Sequence, residues 1–270
     1  MIELVDAALD HPRGGAPLFA GANLKVVRGE VVLIVGAADV GTSRLAAAAM
    51  GDAPLTRGRL EILGHDVSKL RRSSLRLLRR RIGIVPQALC LLEDRSAQLN
   101  VVLPLEIDGV PRSISVLRAA EVLTFLDLES EASLPVDCLS AAARQRVAVA
   151  RALVRDPDLV IADHPTTAQD ALGTDLVCTA LQAAATRGAA CVVLGREPAL
   201  RRIADLYGWR QLGLVGGQLV PVEELERGGR TLEEVLDGVP AAPAAAARAP
   251  VLPNVVPFPL GARAAAGGIR

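Results

Sequence analysis

Apolar positions fall first into short alternating stretches, IELVDAAL and then LFAGANLKVV, which predict strands with one buried face. A Gly-Glu turn at Gly29 and Glu30 leads into Val31–Val35, a wholly apolar run of the kind found in the middle of a sheet covered on both faces. RLAAAAMG then supplies good helix formers and stops at Gly51, predicting a helix closed by glycine. GRLEILGHDVSKL predicts a small strand and turn. LRRSSLRLLRRRIGIVPQ passes from an arginine-rich amphipathic stretch into a strand at Ile82–Val85.

From about Ser96 to Leu128 leucines and valines recur at helical spacing, with interruptions expected at Pro104 and at Gly109 with Pro111. LSAAARQRVAVARALV predicts a helix with Ser140 as N-cap, and DPDLVIAD a turn and a strand ending at Asp163. A helix over Ala171–Ala185 leads through Gly188 to the strand AACVVLG, and LGLVGGQLVPV reads as a hairpin. Repeated strand-helix crossovers with helical material inserted predict an α/β sandwich around a central sheet. PVEELERGGRTLEEVL reads as a short charged helical piece. The Pro/Ala-rich stretch from about residue 239 reads as a flexible tail, within which VVPFPL is a candidate docking segment.

Composition narrows the function classes. Thirty Lys plus Arg balance thirty Asp plus Glu, and aromatics make up 2%, so neither a global field nor stacking platforms favour nucleic acid. No apolar run approaches the roughly 18 residues of a membrane span. The acidic start, MIELVDAALDHP, has no basic region followed by an apolar stretch, so a secretory leader is not expected and the cytoplasm is the default location. Cys90, Cys138, Cys178 and Cys191 are widely spaced and read as ordinary buried thiols, and three scattered histidines make no zinc site. The arginines at 71, 72, 76 and 79–81 fit either a solvated helix face or contact with anionic groups, a partner's or a headgroup's.

GAADVGTS, directly after VVLIV, has the spacing of a phosphate-binding loop, G-x-x-x-x-G-K-[ST], in which backbone N–H groups wrap phosphate and the hydroxyl helps hold Mg²⁺. Gly36, Gly41 and Ser43 stand in the expected places, with Ala37, Ala38, Asp39 and Val40 filling the turn. Thr42 occupies the lysine position, which removes a charge-assisted bond of about 1.5–3 kcal/mol. Asp39 adds a carboxylate, and Arg44, on the following helix, is a weak substitute for the missing cation. Asp163, ending an apolar strand, is the natural companion of Ser43 in organising Mg²⁺. His164 follows where a carboxylate would polarise an attacking water; imidazole can act as a base, but when protonated it is repelled by Mg²⁺.

With loop, Gln87, the Leu139–Thr166 stretch, Asp163 and Asp170 in this order, residues 1–225 resemble the ATP-binding subunit of ABC transporters. Arg79–Gly109, through LLEDR and NVVLPL, is most similar to the cell-division subunit FtsE, with the lipoprotein-release ATPase LolD second. The resemblance implies a P-loop NTPase fold: a RecA-like core, an antiparallel β edge and an inserted helical subdomain over about 90–150. A short helical extension at 226–238 and the tail at 239–270 follow. It further implies ATP and Mg²⁺ as cofactors, with Ser43, Gln87 and Asp163 at the metal, Ser140 at phosphate and Asp170 between two sites. A homodimer or ABC heterodimer is implied, docked near Gln87 on an integral, FtsX-like membrane subunit at the cytoplasmic face of the inner membrane.

The departures are specific. The family's LSGGQ reads Leu139, Ser140, Ala141, Ala142, Ala143; the switch histidine is replaced by Arg196, the catalytic glutamate by His164, the loop lysine by Thr42, and the adenine-stacking aromatic by His11. The expectation is a degenerate, FtsE-like subunit with weak or absent ATP hydrolysis and weakened nucleotide binding. An active unconventional ATPase energising a transporter or lipoprotein-release system, or the inactive half of a heterodimer, are the alternatives.

Overall fold

The computed structural model describes residues 1–10, 19–36 and 43–227. The phosphate-loop residues Ala37, Ala38, Asp39, Val40, Gly41 and Thr42, together with His11 and the predicted tail, lie outside the described residues. Strands β1 (Ile2–Leu9), β2 (Phe19–Val26), β4 (Arg57–Ile62) and β5 (His65–Asp66) form an antiparallel sheet in the order β2-β1-β4-β5. The second sheet runs β10-β9-β3-β8-β7-β6 and comprises β3 (Val31–Gly36), β6 (Ile82–Val85), β7 (Leu159–Asp163), β8 (Ala190–Leu194), β9 (Arg210–Val215) and β10 (Gln218–Pro221). It is parallel except at β10, which returns antiparallel to β9 through Gly216 and Gly217, both at positive φ as a tight hairpin turn requires.

The apolar runs of β3, β7 and β8 are buried on both faces because alternate residues feed two different cores. Val31, Leu33 and Val35, with Val160, Ala162, Cys191 and Val193, pack into the larger core. That core holds α3 (Ala97–Ile107), α4 (Arg112–Phe125), α5 (Ala141–Leu153), α6 (Ala171–Thr186) and α7 (Pro198–Tyr207). Val32, Ile34, Ile161 and Val192 face the other core, shared with the antiparallel sheet, α1 (Ser43–Ala49) and α2 (Arg72–Arg80). A short α8 (Val222–Glu226) follows β10.

Two expectations are corrected. Helix α3 runs unbroken through Pro104, with its interruption only at Gly109 (φ +77°). Packing of α3 against α4 and α5 outweighs one missing amide, and Arg155 of the loop after α5 clasps the Pro104 carbonyl at 2.8 and 3.1 Å. Cys178 and Cys191 are buried as expected, whereas Cys90, at positive φ in a loop, and Cys138, ending a one-turn 3₁₀ helix, are exposed because both lie outside the cores. Among the described residues no helix is long and apolar enough to cross a membrane.

Candidate functional site

Strand β7 ends with Asp163 level with Leu194, the last residue of β8. The Asp163 carboxylate is almost fully buried, at 1% exposure. His164 leaves the strand in the left-handed region (φ +51°), uncommon for a residue with a side chain. Two contacts hold it there: its N–H donates to Leu194 O (2.7 Å), and its carbonyl accepts from Gln145 Nε2 (2.8 Å). Gln145 is itself buried on α5, and its Oε1 accepts from Ala168 N (3.0 Å) and Gln169 Nε2 (3.1 Å). One amide therefore ties α5 to the segment after β7.

The His164 ring meets a carboxylate that the sequence patterns did not single out. Nδ1 lies 3.4 Å from Glu197 Oε1, and the Thr167 hydroxyl donates to the same oxygen at 2.7 Å. The hydrogen bond to Glu197 raises the His164 pKa, against the lowering effect of burial. For Glu197, burial alone would raise the carboxyl; the bonds from His164 and Thr167, aided by a backbone N–H, outweigh it and bring the value down to about 2. The His164 ring and the Glu197 carboxylate are about three-quarters buried, with side-chain exposures of 24% and 23%. Glu197 escaped detection because it lies 33 residues beyond His164 and next to the expected switch position; only the pairing of β7 with β8 brings the two together.

The other predicted residues separate into groups. Gln87 and His164 line one cleft of about 520 Å³, with Leu139, Ala141, Arg144 and Gln145 from the α5 side. Gly36 is the last residue of β3 and Ser43 the first of α1. Among the described residues, Arg44 has a buried Nε without a hydrogen-bond partner. Ser140 caps α5 as predicted, its Oγ accepting from Ala143 N at 3.1 Å, and Ala141 and Ala142 form the first turn. Asp170 caps α6 through Gly173 N at 2.8 Å, while Arg196 sits between Gly195 and Glu197 outside β8.

A second cleft, of about 400 Å³, lies between α2, β6, α3 and α5. Arg76, Arg79 and Arg80 line one side and Arg151 and Arg155 the other, over an apolar floor that includes Ile84 and Ile107. Asp108 forms ion pairs with both Arg80 (3.3 Å) and Arg155 (2.8 Å), and Arg79 pairs with Asp52 (2.6 Å). Arg151 donates to two main-chain carbonyls, Leu89 O and Cys90 O, each at 2.6 Å; burial lowers its pKa. The arginine run predicted as either solvated or anion-facing is thus divided, since Arg71 and Arg72 are exposed outside this cleft.

The donor chemistry fits Mg²⁺ with a nucleotide. Among the described residues no group of three His, Cys, Asp or Glu side chains gathers to cage a metal, whereas Mg²⁺ takes one or two carboxylates and completes its shell with phosphate and water. Asp163 is a buried carboxylate and Gln87 carries an amide oxygen, the donor types such a shell would draw on, and among the described residues the buried Nε of Arg44, one residue beyond Ser43, has no hydrogen-bond partner.

A family model described as "ABC transporter" matches residues 19–167. The lipoprotein-releasing system ATP-binding protein LolD of Neorickettsia sennetsu is 40% identical over 169 residues, 60% of this chain and 73% of that one. The methionine import ATP-binding protein MetN of Brucella abortus is 35% identical over 187 residues, 68% of this chain but only 51% of its own length. Among solved structures, a dimeric ATP-binding cassette in a post-hydrolysis state bound to ADP and Pi superposes with a TM-score of 0.73. It is 28% identical, over 81% of this chain and 96% of that one.

Proposed function

The chain belongs to the ABC transporter family as an ATP-binding subunit, and from that premise we propose that it hydrolyses Mg²⁺-bound ATP to drive a transport or lipoprotein-release system. The observation that carries this reading is the single cleft that Gln87 and His164 both line, with the buried Asp163 directly before His164 in the chain. Asp163, Gln87 and Ser43 would hold Mg²⁺, which supplies charge neutralisation on the phosphates. The chain's own contribution is a fixed imidazole beside the metal ligand and the amide of Gln87 to place a water. The left-handed backbone of His164, held on both sides by hydrogen bonds, supports a role for this side chain in the site. The named relatives, a lipoprotein-release and a methionine-import protein, favour transport over cell division.

In this reading the chain works as a dimer, as the similar solved cassette is dimeric, and docks on an integral membrane subunit at the cytoplasmic face. A second reading, an FtsE-like scaffold on an FtsX-like partner or the silent half of a heterodimer, is favoured by one observation. Ala141 and Ala142 put methyl groups on the first turn of α5, where the resemblance expects backbone to approach a phosphate across the dimer. Steady-state hydrolysis of Mg²⁺-ATP by the full chain with its membrane subunit in vesicles tests the two. Turnover that falls on the order of 100-fold in Asp163→Asn supports the ATPase. Turnover no higher than that of Asp163→Asn, with the membrane subunit still bound, supports the scaffold.

A further inference from the structure

We propose that Glu197 is the positioning residue for His164: it fixes which ring nitrogen carries the proton and aims the other into the cleft that Gln87 lines. The inference deepens the ATPase reading and rests on it for its catalytic consequence, but its geometric content stands on the side chains alone.

Four observations converge. The main chain of His164 is immobilised by Leu194 O and Gln145 Nε2, so the ring has only its side-chain torsions to adjust. Nδ1 faces Glu197 Oε1, which leaves Nε2 as the nitrogen for the cleft that His164 lines. A carboxylate accepts only, so Nδ1 must be the protonated nitrogen and a neutral ring must present Nε2 as an acceptor. The carboxylate is itself held, by Thr167 Oγ1 at 2.7 Å and by Arg196 N on Oε2 at 3.0 Å.

The fold makes room for this carboxylate and does not spend it on capping a helix. Glu197 is the N-cap of α7, yet its side chain makes no capping bond to that helix. Serine, threonine, aspartate or asparagine at such a position would normally satisfy the helix's free N–H groups. Gly195 clears the space: a Cβ there would stand 2.9 Å from Glu197 Oε2 and 2.6 Å from Leu200 Cδ2. A longer side chain was placed at a cap position and turned away from the helix toward an imidazole. With Nε2 held as acceptor, a water in the cleft can donate to it while keeping a lone pair for its target, the role an oriented base performs.

The ring nitrogens report this directly. The chain has three histidines, so ¹⁵N ring spectra of the full chain in alkaline buffer, compared with His164→Gln, isolate the His164 signals. The expected result is protonated Nδ1 and bare Nε2 in the parent, and a mixture of both tautomers in Glu197→Ala. A dominant Nε2-protonated form, or a tautomer indifferent to Glu197→Ala, overturns the proposal whether or not the chain hydrolyses ATP. Turnover with the membrane subunit supplies the second arm. Glu197→Gln should lower kcat about 100-fold with KM for ATP little changed, and should have no further effect in a His164→Ala background. Equal losses in both backgrounds would mean that Glu197 acts without His164, which also overturns it. The expected tautomer in a chain without turnover leaves the positioning intact and refutes the ATPase reading instead.

Discussion

The cleft that holds His164 and the cleft lined by five arginines both lie against α5, and they handle polar groups in opposite ways. Around His164 nearly every polar atom is assigned: Gln145 uses its nitrogen and its oxygen, and Thr167 and Glu197 answer each other. In the arginine cleft the guanidinium groups outnumber their carboxylates, with Asp108 shared between Arg80 and Arg155 and Arg151 satisfied only by neutral carbonyls. The first arrangement fixes single atoms in place; the second stores net positive charge over an apolar floor. Placement needs saturated bonds, whereas attraction needs unsaturated charge.

Substitutions can break this contrast in order of size. Gly83 forms part of the floor of the arginine cleft, and a Cβ there would lie 2.3 Å from Ala152 O. Gly83→Ala should therefore cost about 3 kcal/mol, read as a lower urea midpoint, by forcing α5 off β6. Gln145→Ala should cost about 2 kcal/mol in the same assay, because it strips the His164 carbonyl and the Ala168 amide of buried partners together. Asp108→Asn should cost about 1 kcal/mol or less, since its ion pairs are partly solvated, and the loss should shrink with added salt.

A final, pH-resolved comparison sharpens the His164 side. Glu197 binds its proton less readily in the folded chain than in the unfolded one, so its contribution to stability is present above about pH 4.5 and is lost as pH falls toward about 2. His164 binds its proton more readily when folded, so its contribution is full below pH 6.5 and is lost as pH rises through the raised value. The stability difference between the parent and Glu197→Gln should thus be widest between about pH 4.5 and 6.5 in denaturant titrations, and narrow on either side.

What could be read from the sequence followed the range of the interactions. Val31–Val35 and Leu159–Asp163 declare themselves because an unbroken apolar run is a local signal, and Ser140 because a cap acts within three residues. Pro104 misled because its local penalty is outweighed by contacts made 51 residues away, through Arg155. The candidate site was legible as far as Asp163, His164 and Gln87, which border strand ends. Glu197 and Gln145 were not, since their roles exist only once β7, β8 and α5 are side by side. His164 taken alone suggested a lost base; set against Glu197 it is half of a pair.

The level ending of β7 and β8, with Asp163 opposite Leu194, carries one more consequence. Asp163 and His164 belong to one strand's exit and Glu197 to the other's, so the spacing between the ring and the two carboxylates is a length, counted in residues along two adjacent strands. A slip of a single residue would exchange the two cores and carry the three groups out of line, with every one of them still present. The chemistry is in this sense written in the chain's arithmetic as well as in its alphabet.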